Sequence, residues 1–150
     1  KGIEDYSYNL GRLDNFEQGI MPGNNPISEI TIHYYETVTY KYVDGAYQRY
    51  TNGATHLLEN GQVIAPANLV VLLANHRPYA PGEERLKINI IGKGKAFFFR
   101  DGLAWEGHWE RPTARDFFVF TDANGEKILF KSGQVWINIV PNEKNRLDFR

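Results

Sequence analysis

The sequence contains no cysteine, which excludes disulfides, a thiol nucleophile and thiolate metal ligation. It has no apolar run approaching the ~20 residues of a helical membrane span. It also lacks an excess of either charge: 17 Lys and Arg meet 18 Asp and Glu, giving a formal net charge of −1. Without a basic stripe to meet a phosphate backbone, nucleic acid is not an expected partner. The opening residues KGIEDYSYN lack the apolar core of a signal peptide, so an export signal, if there is one, lies upstream. Histidine is sparse. His33, His56, His76 and His108 occur in neither HxH nor HExxH spacing, and Ser7, Ser28 and Ser132 stand in no GxSxG context. Gly92-Lys-Gly94-Lys95 lacks the third glycine and the helix of a dinucleotide loop, and reads as a bulge or a close approach of strands. No metal or cofactor is expected.

Aromatic residues are plentiful: nine Tyr, nine Phe and three Trp. Strands favour such residues. In 86–110 the apolar residues Leu86, Ile88 and Ile90 alternate with Lys87 and Asn89. After the turn dipeptide Asp101-Gly102, Leu103, Trp105, Gly107 and Trp109 share one face, and Ala104, Glu106, His108 and Glu110 the other. In 28–43, Ile30, Ile32 and Tyr34 alternate with Thr31, His33 and Tyr35, and Val38, Tyr40 and Tyr42 follow a bend near Glu36-Thr37. Asp44-Gly45, Asn52-Gly53 and Asn60-Gly61 are further hairpin signals. The apolar run 68–75 (NLVVLLAN) fits a central strand, although Pro66 could also start a helix there. Residues 76–84 read as an exposed loop. Strands are expected at 116–120, 126–130 and 134–140, the last with Val135, Ile137 and Ile139 opposite Gln134, Trp136 and Asn138. Residues 142–150 read as a polar tail.

Residues 1–27 form a lead-in or linker. Leu10, Leu13, Phe16 and Ile20 have loosely helical spacing with Ser7 placed to cap, and MPGNNP at 21–26 marks a boundary. The expectation is a mainly β domain over 28–150, an antiparallel meander or sandwich of about nine to eleven short strands. A short N-terminal helix keeps an α+β class open.

The chemistry-bearing candidates are few. Glu106, His108 and Glu110 share a strand face that could hold a metal or simply meet solvent. Asp122-Ala-Asn124-Gly125 opens like a calcium loop, but its glycine arrives too early, and an Asx-capped turn accounts for it. Trp136, Tyr47 and Tyr79 are eligible to stack on sugar rings or to pack in the core. Arg49 and His56 flank the Asn52-Gly53 turn and could face one another, and Asn68 needs partners for its amide if buried. Together these three suggest a polar patch able to bind a carboxylate or other anion.

From about residue 28 to 141 the order of motifs is similar to the C-terminal domain of the YerB-like bacterial lipoproteins, a family of unknown function. The resemblance is carried by Tyr40 with DGAYQRYTNGATH (44–56), IAPANLVVL (64–72), INIIGKGKAFFFRDGLAWEGHW (88–109) and TDANGEKILFKSGQVWINIVP (121–141). By position it marks Arg49, His56, Asn68 and Trp109 as candidate binding residues. Leu58 stands where the family tends to carry Asp, and Leu72 or Leu73 where it tends to carry Gln, which removes polar groups from that patch. The resemblance implies an extracytoplasmic protein, held at the membrane through a lipidated cysteine upstream, with a further N-terminal domain.

The favoured function is a non-enzymatic, β-rich module binding an envelope protein or polymer, an edge strand being one means of recruitment. The alternatives are a cell-wall hydrolase or transferase using Arg49 and His56, and a structural domain packing on its N-terminal neighbour.

Overall fold

The structure is a computed structural model and describes residues 26–150. The helix expected within 1–27 lies outside the described residues, apart from Pro26 and Ile27. Among the described residues there is no helix; the chain forms eleven strands. These are β1 (Glu29–His33), β2 (Thr37–Val43), β3 (Ala46–Thr51), β4 (Ala54–Thr55), β5 (Asn68–Pro78) and β6 (Leu86–Asn89). They continue with β7 (Gly92–Arg100), β8 (Leu103–Arg111), β9 (Val119–Asp122), β10 (Val135–Pro141) and β11 (Leu147–Phe149).

Two sheets result. The first runs β11-β1-β2-β3-β4 and is antiparallel throughout. The second runs β10-β5-β7-β8-β9, with β6 paired to the far end of β5. Asp44-Gly45, Asn52-Gly53 and Asp101-Gly102 have both residues at positive φ, as a type I′ hairpin turn requires. At Asn60-Gly61 only the glycine does, in a wider connection in which the Leu58 N–H donates to the Gln62 carbonyl at 2.8 Å.

The sheets pack face to face. Ile30, Ile32, Tyr40 and Tyr47 of the first meet Leu69, Val71, Phe99 and Val140 of the second. The other face of the second sheet, bearing Val70, Leu72, Phe98, Trp105, Trp109 and Phe120 of β9, is covered by Phe118 before β9 and by Ile128 and Phe130 from the segment after it. Strand β5 is therefore buried on both faces, which is why its sequence is a continuous apolar run rather than an alternation. Both tryptophans of β8 are core residues, 8% and 2% exposed. The covering segment is tied down at its end: Lys131 Nζ donates to the Gly45 carbonyl at 2.7 Å and to Asp101 Oδ1 at 3.0 Å.

Four expectations need correction. The second sheet is not wholly antiparallel, because β10 runs parallel to β5, from Val135↔Asn68 to Pro141↔Ala74. Residues 126–130 form no strand. The Asp122–Glu126 turn closes, a bridge joins Thr121 to Lys127, and Ile128 and Phe130 then serve as cover for the core. Residues 76–78 are not loop but the end of β5, paired with β6. The polar tail contains β11, which pairs with β1 and rests Phe149 against the rings of Phe97 and Phe99.

Candidate functional site

Arg49 sits on β3, where the Asn52-Gly53 turn folds β4 back against it. The β3–β4 pairs end at Tyr50↔Thr55; beyond them the His56 N–H donates to the Arg49 carbonyl at 2.8 Å, while the Arg49 N–H turns to the Ile64 carbonyl at 2.9 Å. The structure thus brings the backbones of Arg49 and His56 together, while the Arg49 side chain bonds to Tyr40 and Thr51.

The Arg49 side chain does not remain on its own sheet. Its Nε donates to Tyr40 Oη at 3.3 Å and its Nη1 to Thr51 Oγ1 at 2.9 Å. Tyr40 Oη in turn donates to Asn138 Oδ1 on β10 at 2.8 Å. Burial pushes the Tyr40 phenol above its ordinary range, with the Arg49 and Asn138 contacts working against the shift. A polar chain therefore crosses from β3 through β2 to β10. Within it Asn138 Nδ2 is buried without a hydrogen-bond partner, and so, elsewhere on the hairpin, is His56 Nδ1. Native proteins rarely leave such groups unmatched. Neither Tyr40 nor Asn138 was a sequence candidate for binding. Their signal was weak: one tyrosine among nine, and one polar residue on an apolar strand.

Asn68 and Trp109 are held elsewhere. On β5 the odd residues Leu69 and Val71 face the first sheet, whereas Val70 and Leu72 face the covering segment, so Asn68 lies on the face away from Arg49. Asn68 is fully buried; its Nδ2 donates to the carbonyls of Lys131 at 3.0 Å and Gln134 at 3.3 Å, and its Oδ1 accepts from the Lys131 N–H at 3.0 Å. It clasps the end of the covering segment. Trp109 lies in the core of that same face, its Nε1 donating to the Leu73 carbonyl at 3.0 Å.

The other candidates are dispersed. Glu106, His108 and Glu110 are exposed on β8, where Lys95 Nζ pairs with Glu106 at 2.6 Å. Among the described residues no three His, Asp or Glu side chains gather as metal ligands. Asp122 Oδ1 accepts from the N–H groups of Asn124 and Glu126, the Asx-capped turn. Tyr47 is fully buried, whereas Tyr79 is 69% exposed with Arg85 over its ring.

Asn138 belongs to an edge strand, and the ladder shows which way its backbone points. The Gln134 carbonyl accepts from the Asn68 N–H, and the Asn142 N–H donates to the Ala74 carbonyl. A residue in a parallel ladder turns both its N–H and its C=O to the same side, so the even residues of β10 face β5. Val135, Ile137 and Ile139 direct theirs outward, and among the described residues β10 pairs with β5 alone. Pro141 is the next outward residue; it has no N–H, and its carbonyl accepts from the Glu143 N–H. The open edge and the Arg49 chain meet at Asn138.

Comparison with curated proteins finds no match. Among solved structures the chain is similar to the crystal structure of YerB protein from Bacillus subtilis, with a TM-score of 0.71 and 22% identity. The likeness covers 85% of this chain and 44% of that one, so the chain spans less than half the length of that relative, and at this identity the likeness speaks for the fold. Residues 29–137 match the family described as the C-terminal domain of a protein of unknown function, DUF3048, and the chain belongs to that family of YerB-like C-terminal domains.

Proposed function

We propose that this domain is a strand-receiving binding module, in which the outward edge of β10 takes up an extended segment of a partner protein by β-augmentation. The observation that carries the reading is the outward set of N–H and C=O groups of Val135, Ile137 and Ile139, on a strand that has no charged residue from Val135 to Pro141. Exposed edges are normally blunted by charge, bulges or brevity. From Val135 to Val140 the strand carries no charge, and its one protecting residue is Pro141 at the end. In keeping with the YerB-like resemblance, the domain works outside the cytoplasm, tethered through a lipidated cysteine ahead of residue 1, and the partner is an envelope protein.

The test is selection of displayed random peptides against the purified domain. Enriched peptides should bind in the micromolar range, and N-methylation at alternate positions should cost about tenfold or more by removing main-chain donors. Ile137→Pro, which removes one outward N–H, should weaken the same peptides. Peptides that tolerate N-methylation everywhere would overturn the reading, as would a concentration-dependent dimer built on β10, since a second copy would then be the occupant.

A further inference from the structure

We infer that the segment received at β10 carries a carboxylate, Asp or Glu, at the residue opposite Asn138, and that Arg49 and Asn138 bind it. The inference rests on the strand-receiving reading above and adds the chemistry of the occupant.

Two observations meet at Tyr40. Arg49 is a half-buried cation whose two side-chain hydrogen bonds go to the neutral hydroxyls of Tyr40 and Thr51. Among the described residues it has no carboxylate partner. A guanidinium offers five N–H donors in a planar fork suited to a carboxylate, so donors remain. Next along the chain, Asn138 uses its oxygen for Tyr40 and leaves Nδ2 buried without an acceptor. An acceptor carrying negative charge would satisfy both.

Strand geometry says where that acceptor comes from. Asn138 turns its own N–H and C=O toward β5, so an antiparallel strand added outside would meet it as a non-hydrogen-bonded pair, the kind in which opposing side chains lie closer. The residue opposite Asn138 points to the same face as Asn138, toward the first sheet and Arg49. Its neighbours in the added strand point the other way, alongside Val135, Ile137 and Ile139, which pack against the covered core. The occupant is thus apolar, acidic, apolar over three consecutive residues.

The experiment moves a single Asp along an otherwise uncharged, extended nine-residue host peptide and measures binding by fluorescence anisotropy. One position should bind about tenfold or more tightly than the same peptide with Asn there. The preference should shrink as salt is raised. It should vanish with Arg49→Gln and partly survive Arg49→Lys, each variant checked for an unchanged melting temperature. The salt dependence needs no variant, so a misfolded one leaves the question answerable. Peptides that bind in an N-methylation-sensitive way with no preference for Asp at any position would overturn this inference and leave the edge reading standing. Failure of every host peptide to bind, with displayed libraries likewise giving none, would overturn both.

Discussion

Trp109 Nε1 donates to the Leu73 carbonyl at 3.0 Å directly over the α-carbon of Gly94. This is where β5 leaves β7: their last pair is Leu72↔Ala96, and β5 pairs next with β6 at Asn75↔Asn89. The indole supplies the hydrogen bond that the departing strand no longer finds. A methyl group on Gly94 would lie 2.6 Å from that nitrogen and 2.9 Å from the Leu73 oxygen. Gly94→Ala is therefore expected to destabilise by about 2–3 kcal/mol, near the upper end for overpacking. Calorimetry should show a melting temperature lower by about 10 °C, and an unchanged value would count against the wedge.

Gly107 leaves still less room. Its Cβ would stand 2.0 Å from the Thr121 carbonyl oxygen, an atom of the paired strand β9 that cannot swing aside. Gly107→Ala should cost more than Gly94→Ala, above roughly 3 kcal/mol. Hydrogen exchange should show the loss concentrated in Val119–Asp122; uniform loss across the second sheet would contradict this account.

Asn68→Leu keeps volume and removes every side-chain hydrogen bond of the clasp. The Lys131 N–H and carbonyl then lose their partner, at an expected cost of about 2–4 kcal/mol, since each stranded buried group costs about 1–3. Limited proteolysis should cut first near residues 129–134, where the cover would lift. Asn68→Asp should do no better at neutral pH, because a carboxylate cannot donate to the Lys131 carbonyl.

His76 gives a pH dependence whose sign is fixed. Burial lowers its pKa below the ordinary 6.5, with Arg146 adding to the shift and Glu143 opposing it. Its Nδ1 shares a hydrogen bond of 3.2 Å with the Tyr34 hydroxyl, the donor being set by the ring tautomer. The unfolded chain then binds more protons than the folded one, so this contribution is complete above pH 6.5 and is lost as pH falls toward the lowered folded value. Denaturant titrations at pH 7.5 and 5.5 should show a larger loss for the wild type than for His76→Gln; an equal or smaller loss would refute the assignment.

Much of this architecture was legible in the residues. The alternation at Ile30 and Ile32, and at Trp105 and Trp109, assigns faces because one side of each strand meets a core. Asp44-Gly45, Asn52-Gly53 and Asp101-Gly102 place three hairpins because few other dipeptides tolerate two positive φ values. The partner of β10 was not legible, because parallel pairing is chosen by the whole sheet and leaves no local mark. Nor was β11, whose three residues are too few to show a period and whose Phe149 is held by Phe97 and Phe99 from a distant strand. At 126–130 the alternation of Ile128 and Phe130 was genuine, but it served a covering segment rather than a ladder.

The site divided in the same way. The turn between Arg49 and His56 brings their backbones together locally. The joining of Arg49 to Asn138, which lie 89 positions apart in the chain, depends on how the two sheets stack. The positions marked at Asn68 and Trp109 prove to be fully engaged with the backbone of the fold itself.

Pro141 has a kinetic consequence. On the strand-receiving reading proposed above, it would end the receptive stretch after Ile139 and leave a guest main-chain bonds at only a few rungs, each worth about 0.5–1.5 kcal/mol net. So short a berth favours brief residence and ready exchange over permanent docking. It also denies the next molecule a continuous template along which fibres could grow.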